Sequence, residues 1–294
     1  MQVRYAALVL LFACGAVPLL RRLSDRGAGR AAVAVAALWG WGIVAAMLAV
    51  TVSAPWMVAS GGSAAFRLLP GLASAMSQGR ELPVGAALVA AAGAVGLMTL
   101  LRPEVTPPPG RPVPTAATAP LAATLGTAVV AIALAVLSND RVAGRMQTGF
   151  AGNERLSEPG DLLRQWIQLG AWTLPTGSAP GRWLLYRIGD LVLLALVWWG
   201  LRLLPVLLDR VTYPAYSLGA VATTLGMVMS ELWHSLLSYQ GSTGGPLPYY
   251  VSEGSGVSAA LVFGILAGCA STVTVRIRSR AQQPAPPTPQ TQPA

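Results

Sequence analysis

The chain has 294 residues, 54% of them hydrophobic and only 11% charged, whereas ordinary soluble domains carry roughly 25% charged residues; the composition argues against a soluble domain and makes the bilayer the expected solvent. The net charge of +9 does not point to nucleic acid, because the arginines flank apolar segments and form no interleaved basic surface. All twenty basic residues are arginine, so there is no lysine for a phosphate-binding P-loop and the chain does not power itself with ATP; the same bias reflects a GC-rich coding sequence and points to a bacterial source.

Seven apolar stretches approach the roughly 17 to 25 residues that a hydrocarbon core demands. They run over 5–20, 32–52, 84–101, 119–137, 190–208, 215–237 and 257–274. They predict an all-α integral membrane protein, a polytopic helical bundle of about seven transmembrane helices. The first stretch opens the chain but ends in Arg21 and Arg22, where a signal cleavage site would carry small neutral residues, so an uncleaved helix is expected. The run LFAC at 11–14 is a poor lipoprotein box, since Phe12 is bulky and apolar residues follow it.

Between the first two stretches, RRLSDRGAGR (residues 21–30) sets Arg21, Arg22, Arg26 and Arg30 against Asp25 alone. Short cytoplasmic loops collect positive charge, so this segment is assigned to the cytoplasm, with the N-terminus outside and the C-terminus cytoplasmic. Carried along the chain, the assignment gives the cytoplasmic side eleven arginines and three acids, and the outside nine arginines and seven acids. The proline-rich stretch 102–118 reads as a stiff cytoplasmic linker, and 281–294 as a disordered Pro/Gln-rich tail. These divide the chain into a three-helix segment (1–101) and a four-helix segment (119–280) that includes an outer loop, 138–189. No internal repeat of the transporter kind is visible.

Within the outer loop, DLLRQWIQLGAW (161–172) places Leu162, Leu163, Trp166, Ile167 and Gly170 on one helical stripe. That is the pattern of an interfacial helix, with Trp172, Trp183 and Tyr186 as aromatic anchors. In the fifth stretch, Arg202 is close enough to the inner end to snorkel, and Trp198 and Trp199 read as packing or lipid-facing bulk.

The sixth stretch contains MVMSELWHSLL (227–237), with a carboxylate and the only histidine of the chain. Helical spacing puts Thr224, Met227, Glu231, His234 and Ser238 on one face. The connection DRVTYPAY is short, so the fifth and sixth helices are expected to be antiparallel neighbours. Asp190 and Leu232 each lie 21 residues from Val211, hence at similar depth. Arg187, Asp190, Glu231 and His234 then form one cluster near the outer leaflet.

Three readings of that cluster compete. A satisfied network would pair Arg187 with Glu231 and Asp190 with His234 and fix the register of two helices. A proton or solute path would use Glu231 and His234, with Thr224, Met227 and Ser238 lining it. A metal or catalytic site would draw on Asp190, Glu231, His234 and Met227. The Glu-x-x-His pair occurs once here, whereas di-iron bundles use it twice with two further carboxylates; no H-E-x-x-H motif is present either. No metal is assigned and no residue pattern identifies a cofactor.

In the last stretch Gly256, Ala260, Gly264 and Gly268 recur every four residues, a smooth ridge for close helix packing. Ser258 lacks a G-x-S-G context and no histidine follows it, which argues against a serine hydrolase. Cys14 and Cys269 both sit in apolar stretches and suggest no disulfide framework. The leading expectation is a non-enzymatic multi-pass protein of a bacterial inner membrane, a subunit or scaffold of an envelope complex, with lipid and other membrane proteins as partners. The alternatives are a transporter or channel with a path past Glu231 and His234, or an intramembrane enzyme acting on a lipid or lipid-linked substrate.

Overall fold

The computed structural model describes residues 2–22, 30–60, 81–101, 118–137, 139, 141–142, 144–145, 160, 163, 166–167, 180–207, 214–239, 250–252 and 256–281. Among these are seven long helices: α1 (Gln2–Arg22), α2 (Arg30–Ser60), α3 (Val84–Leu101), α4 (Thr118–Leu137), α5 (Pro180–Leu207), α6 (Pro214–Tyr239) and α7 (Val257–Ala281). Two three-residue strands, β1 (Glu81–Pro83) and β2 (Tyr250–Ser252), complete the described elements. The linker 102–117, the tail 282–294 and most of the loop 138–179 lie outside the described residues.

The helices outrun the apolar stretches that announce them. α5 begins at Pro180, ten residues ahead of the apolar run, because proline suits the first turn of a helix and the polar residues that follow can pair along it. α7 likewise continues through Arg276 and Arg278 to Ala281. Apolarity marks where a helix can meet hydrocarbon, whereas its ends depend on local backbone and side-chain chemistry. Among the described residues four helices are long and apolar enough to cross a membrane: Gln2–Leu20, Ala31–Trp56, Thr118–Leu137 and Ser258–Arg278; Gly85–Leu97 is a shorter apolar helix.

The exterior is apolar as well as the core, and hydroxyls are buried among the helices. Ser53, Thr223, Thr224, Ser230, Ser271 and Thr272 are buried, while Val89 is 73% exposed and Ile132 64% exposed. Many of the buried hydroxyls satisfy themselves on their own helix, as Thr223 Oγ1 does by donating to Gly219 O (2.9 Å) and Thr272 Oγ1 to Gly268 O (2.7 Å). A wide apolar exterior of this kind is not what water tolerates.

α4, α5, α6 and α7 close a ring in which each helix packs on two others: α4 on α5, α5 on α6, α6 on α7, and α7 back on α4. Ser271 Oγ of α7 donates to Ala122 O of α4 at 2.9 Å, and Gly126 of α4 lies against Ser271. The ring is filled by Val130, Leu134, Leu193, Val197, Met227 and Ala260. α2 docks on α6, and α1 and α3 flank α2.

The α1–α2 contact turns on one tryptophan. Trp41 Nε1 donates to both Leu11 O and Phe12 O at 3.2 Å, and its indole fills the space that a Cβ on Gly15 would need. Trp41→Phe keeps most of the ring and removes the shared hydrogen bond. It is expected to cost about 1 kcal/mol, read as a lower melting temperature in detergent; an unchanged value would show that the indole N–H contributes nothing to this contact.

β1 and β2 pair antiparallel, with Glu81 opposite Ser252 and Pro83 opposite Tyr250. The pair ties the start of α3 to the start of α7, so both lie at one end of the bundle. Of the 161–172 segment, Leu163 is exposed while Trp166 packs on the Ile43, Met47 and Val228 cluster between α2 and α6. The expected stripe is therefore divided between surface and protein; Leu162, Gly170 and Trp172 lie outside the described residues, as do the side chains of Trp183 and Tyr186.

Candidate functional site

The polar cluster is built on the α5–α6 contact near the strand-bearing end. Small residues bring these helices close. A Cβ on Gly200 would stand 2.6 Å from Ala222 Cβ, one on Gly226 3.0 Å from Leu193 O, and one on Gly189 2.7 Å from His234 Nε2 and 3.0 Å from Ser230 Oγ. Ala222, Gly226, Ser230 and His234 thus form one row of α6, at steps of four, that lies along α5. Gly189 is level with residues 230–234, the similar depth that the sequence predicts for this part of the two helices. Trp233 Nε1 adds a hydrogen bond to Leu185 O at 2.8 Å.

The ion pair of the cluster lies within one helix. Arg187 Nη1 donates to Asp190 Oδ2 at 2.8 Å, with the two side chains 17% and 18% exposed. The sequence suggests pairing Arg187 with Glu231 and Asp190 with His234; in the structure Asp190 accepts from Arg187, three positions back on α5. An i,i+3 pair forms without any demand on interhelical spacing, whereas the His234 ring is already committed to the space above Gly189.

A second row of α6 faces α7. Gly219 lies against Gly264 and Gly268, and Thr223 against Gly264; Met227 belongs to the apolar core together with Ala260. Glu231 is the next residue of this row, at the same step of four. It is half-buried and interacts electrostatically with His234. Of the polar face expected from sequence, His234 is turned to α5, and Glu231 interacts with it from the preceding turn. There Gly256 adopts a φ of 92°, a conformation that side chains with a Cβ avoid, and its carbonyl accepts from Ala260 N at 2.8 Å.

The remaining sequence candidates take different places. Thr224 is fully buried, and its Oγ1 has no hydrogen-bond partner among the described residues. Met227 is core and not cavity lining, and the Ser238 side chain lies outside the described residues. Of the α7 ridge, Gly264 and Gly268 meet α6, and Ala260 is fully buried. A cavity of ≈ 270 Å³ lies between α2, α5 and α6, lined by residues such as Trp39, Trp199 and Leu225. Another, of ≈ 370 Å³, lies between α1, α2 and α3, lined by residues such as Phe12, Ile43 and Ala87. Both are apolar, and neither is lined by Arg187, Asp190, Thr224, Met227, Glu231 or His234. Among the described residues no group of three or more His, Cys, Asp or Glu side chains is placed to hold a metal ion.

Sequence reasoning passed over Gly189, Gly226 and Ser230, which make the close approach. The signal was present: Gly219, Ala222, Gly226 and Ser230 recur at steps of three and four, as small residues do on a contact face in lipid. The chain matches no protein-family model, no curated protein and no solved structure, so the functional reading rests on this geometry.

Proposed function

We propose that this chain is a non-enzymatic, multi-pass protein of a bacterial inner membrane, a subunit or scaffold of an envelope complex, in which the α5–α6 polar cluster locks two helices together. The membrane placement is supported by the four long apolar helices and by the exposed apolar exterior. The orientation, N-terminus outside, is supported by the excess of arginine at the end that holds Arg22, Arg202, Arg276 and Arg278. The scaffold role is carried by one observation: the α5–α6 contact is closed at the cluster, with the His234 ring packed over Gly189 and Trp233 Nε1 donating to Leu185 O, while Asp190 is matched to Arg187 within α5.

A transport path past Glu231 and His234 is the second reading, favoured by the half-buried Glu231 and the unpartnered buried hydroxyl of Thr224 on neighbouring turns. The two readings separate in one pair of measurements. The scaffold predicts that the chain, purified from host membranes in mild detergent, brings a second membrane protein in fixed stoichiometry. It also predicts that liposomes containing wild type and Glu231→Gln leak protons at the same low rate. A chain that purifies alone and gives a proton flux abolished by Glu231→Gln would replace the scaffold with a carrier.

A further inference from the structure

On the α4–α5 face Arg202 meets no carboxylate among the described residues. Arg202 is exposed, and its guanidinium carbon lies 5.1 Å from the centroid of the Trp198 ring. That ring is itself held in place: Trp198 Nε1 donates to Thr124 Oγ1 of α4 at 3.3 Å, and Thr124 Oγ1 donates to Pro120 O at 2.8 Å. A cation–π contact of this kind uses the charge of a guanidinium, and none of its N–H groups need find an acceptor in it. Among the described residues the contact of the Arg202 guanidinium is with the Trp198 ring, and no carboxylate is paired with it. The arginine is thus held beside a neutral ring and is exposed on the outside of the bundle.

The surroundings specify what that is. Leu191, Ala195, Trp198 and Arg202 follow one another at steps of four, three and four along α5, an apolar stripe that ends in the cation; Leu191 is 63% exposed. Arg202 stands five residues before the end of α5 at Leu207, about 7–8 Å along the axis. That is within the span a snorkelling arginine covers between hydrocarbon and headgroup. The exposed Arg276 and Arg278 of α7 occupy the same end of the ring, and their field favours negative headgroups. We infer that Arg202, backed by Trp198, binds the phosphate of an anionic phospholipid in the leaflet at the arginine-rich end, with an acyl chain along Ala195 and Leu191. This inference requires the membrane placement proposed above but not the scaffold role, which can fail without affecting it.

The test is native mass spectrometry of the full chain in detergent titrated with phosphatidylglycerol or, separately, phosphatidylcholine. Arg202→Gln is expected to weaken the first phosphatidylglycerol binding step roughly tenfold, the loss of about one charge-assisted hydrogen bond, with little change for phosphatidylcholine. Arg202→Lys should retain the preference for the anionic lipid, and Trp198→Phe should retain more of it than Trp198→Leu, since only phenylalanine preserves a ring. If Arg202→Gln does not fold, the lysine variant and the two tryptophan variants carry the comparison. Wild-type affinity in Arg202→Gln, or equal losses for both lipids, would overturn the inference. Release of the bound lipid by millimolar inorganic phosphate would overturn it too, by making the site one for a free anion.

Discussion

Gly219→Leu is expected to prevent the α6–α7 contact from forming. A Cβ at this position would stand 2.7 Å from both Cα and N of Gly268 and would meet Gly264 O as well. These are backbone atoms of a helix and cannot rotate aside, so the helices must separate. Overpacking of a well-packed core costs about 1–3 kcal/mol and occasionally more. Here the cost belongs at the upper end or beyond it, because separation also loosens Ala220 and Thr223 from Gly264. Gly93→Leu is the matched control, since nothing lies within 4 Å of a Cβ there. Size-exclusion profiles and melting temperatures in detergent read the difference. Equal tolerance of the two substitutions would mean that α6 and α7 do not approach as described.

The second large effect is expected at Asp190. With its partner 17% exposed, Asp190→Ala leaves the Arg187 guanidinium without its carboxylate in a mostly buried position. Hydrogen bonds to charged groups contribute about 1.5–3 kcal/mol, and a loss in that range is expected. Arg187→Leu combined with Asp190→Leu should recover most of it, because replacing both members of a buried pair by apolar groups is often close to neutral. The quantity to measure is the coupling energy of the double-mutant cycle in detergent denaturation. Strict additivity of the two single effects would show that the pair contributes nothing to the fold.

How far these sites could be read in the sequence differs from one to the next. Arg187, Asp190, Glu231 and His234 stand out because ionisable groups in apolar surroundings are costly and rare, and the short DRVTYPAY connection places them at one depth. Their partners could not be read the same way. A step of three along α6 puts Glu231 and His234 near one another, but the direction each takes depends on how the helix is rotated against α5 and α7. That rotation is set by Gly189, Gly226, Gly219 and Gly264, whose missing side chains decide where backbones can touch. Trp166 is a similar case: a tryptophan in an amphipathic stripe suits an interface, and only the α2–α6 groove beside it makes it a packing residue.

By itself the sequence determined which segments are apolar helices, the charge bias of the connections between them, and the few polar residues those helices carry. Only the tertiary structure decided that α4 to α7 close a ring, that Arg187 turns to Asp190 on its own helix, and that His234 packs over Gly189 of α5. The physical reason is that hydrophobicity is legible one residue at a time and has no direction, so it says that a helix is buried or lipid-facing without naming its neighbour. Neighbours are chosen by close packing of small residues and by paired polar groups, and both are properties of two helices at once.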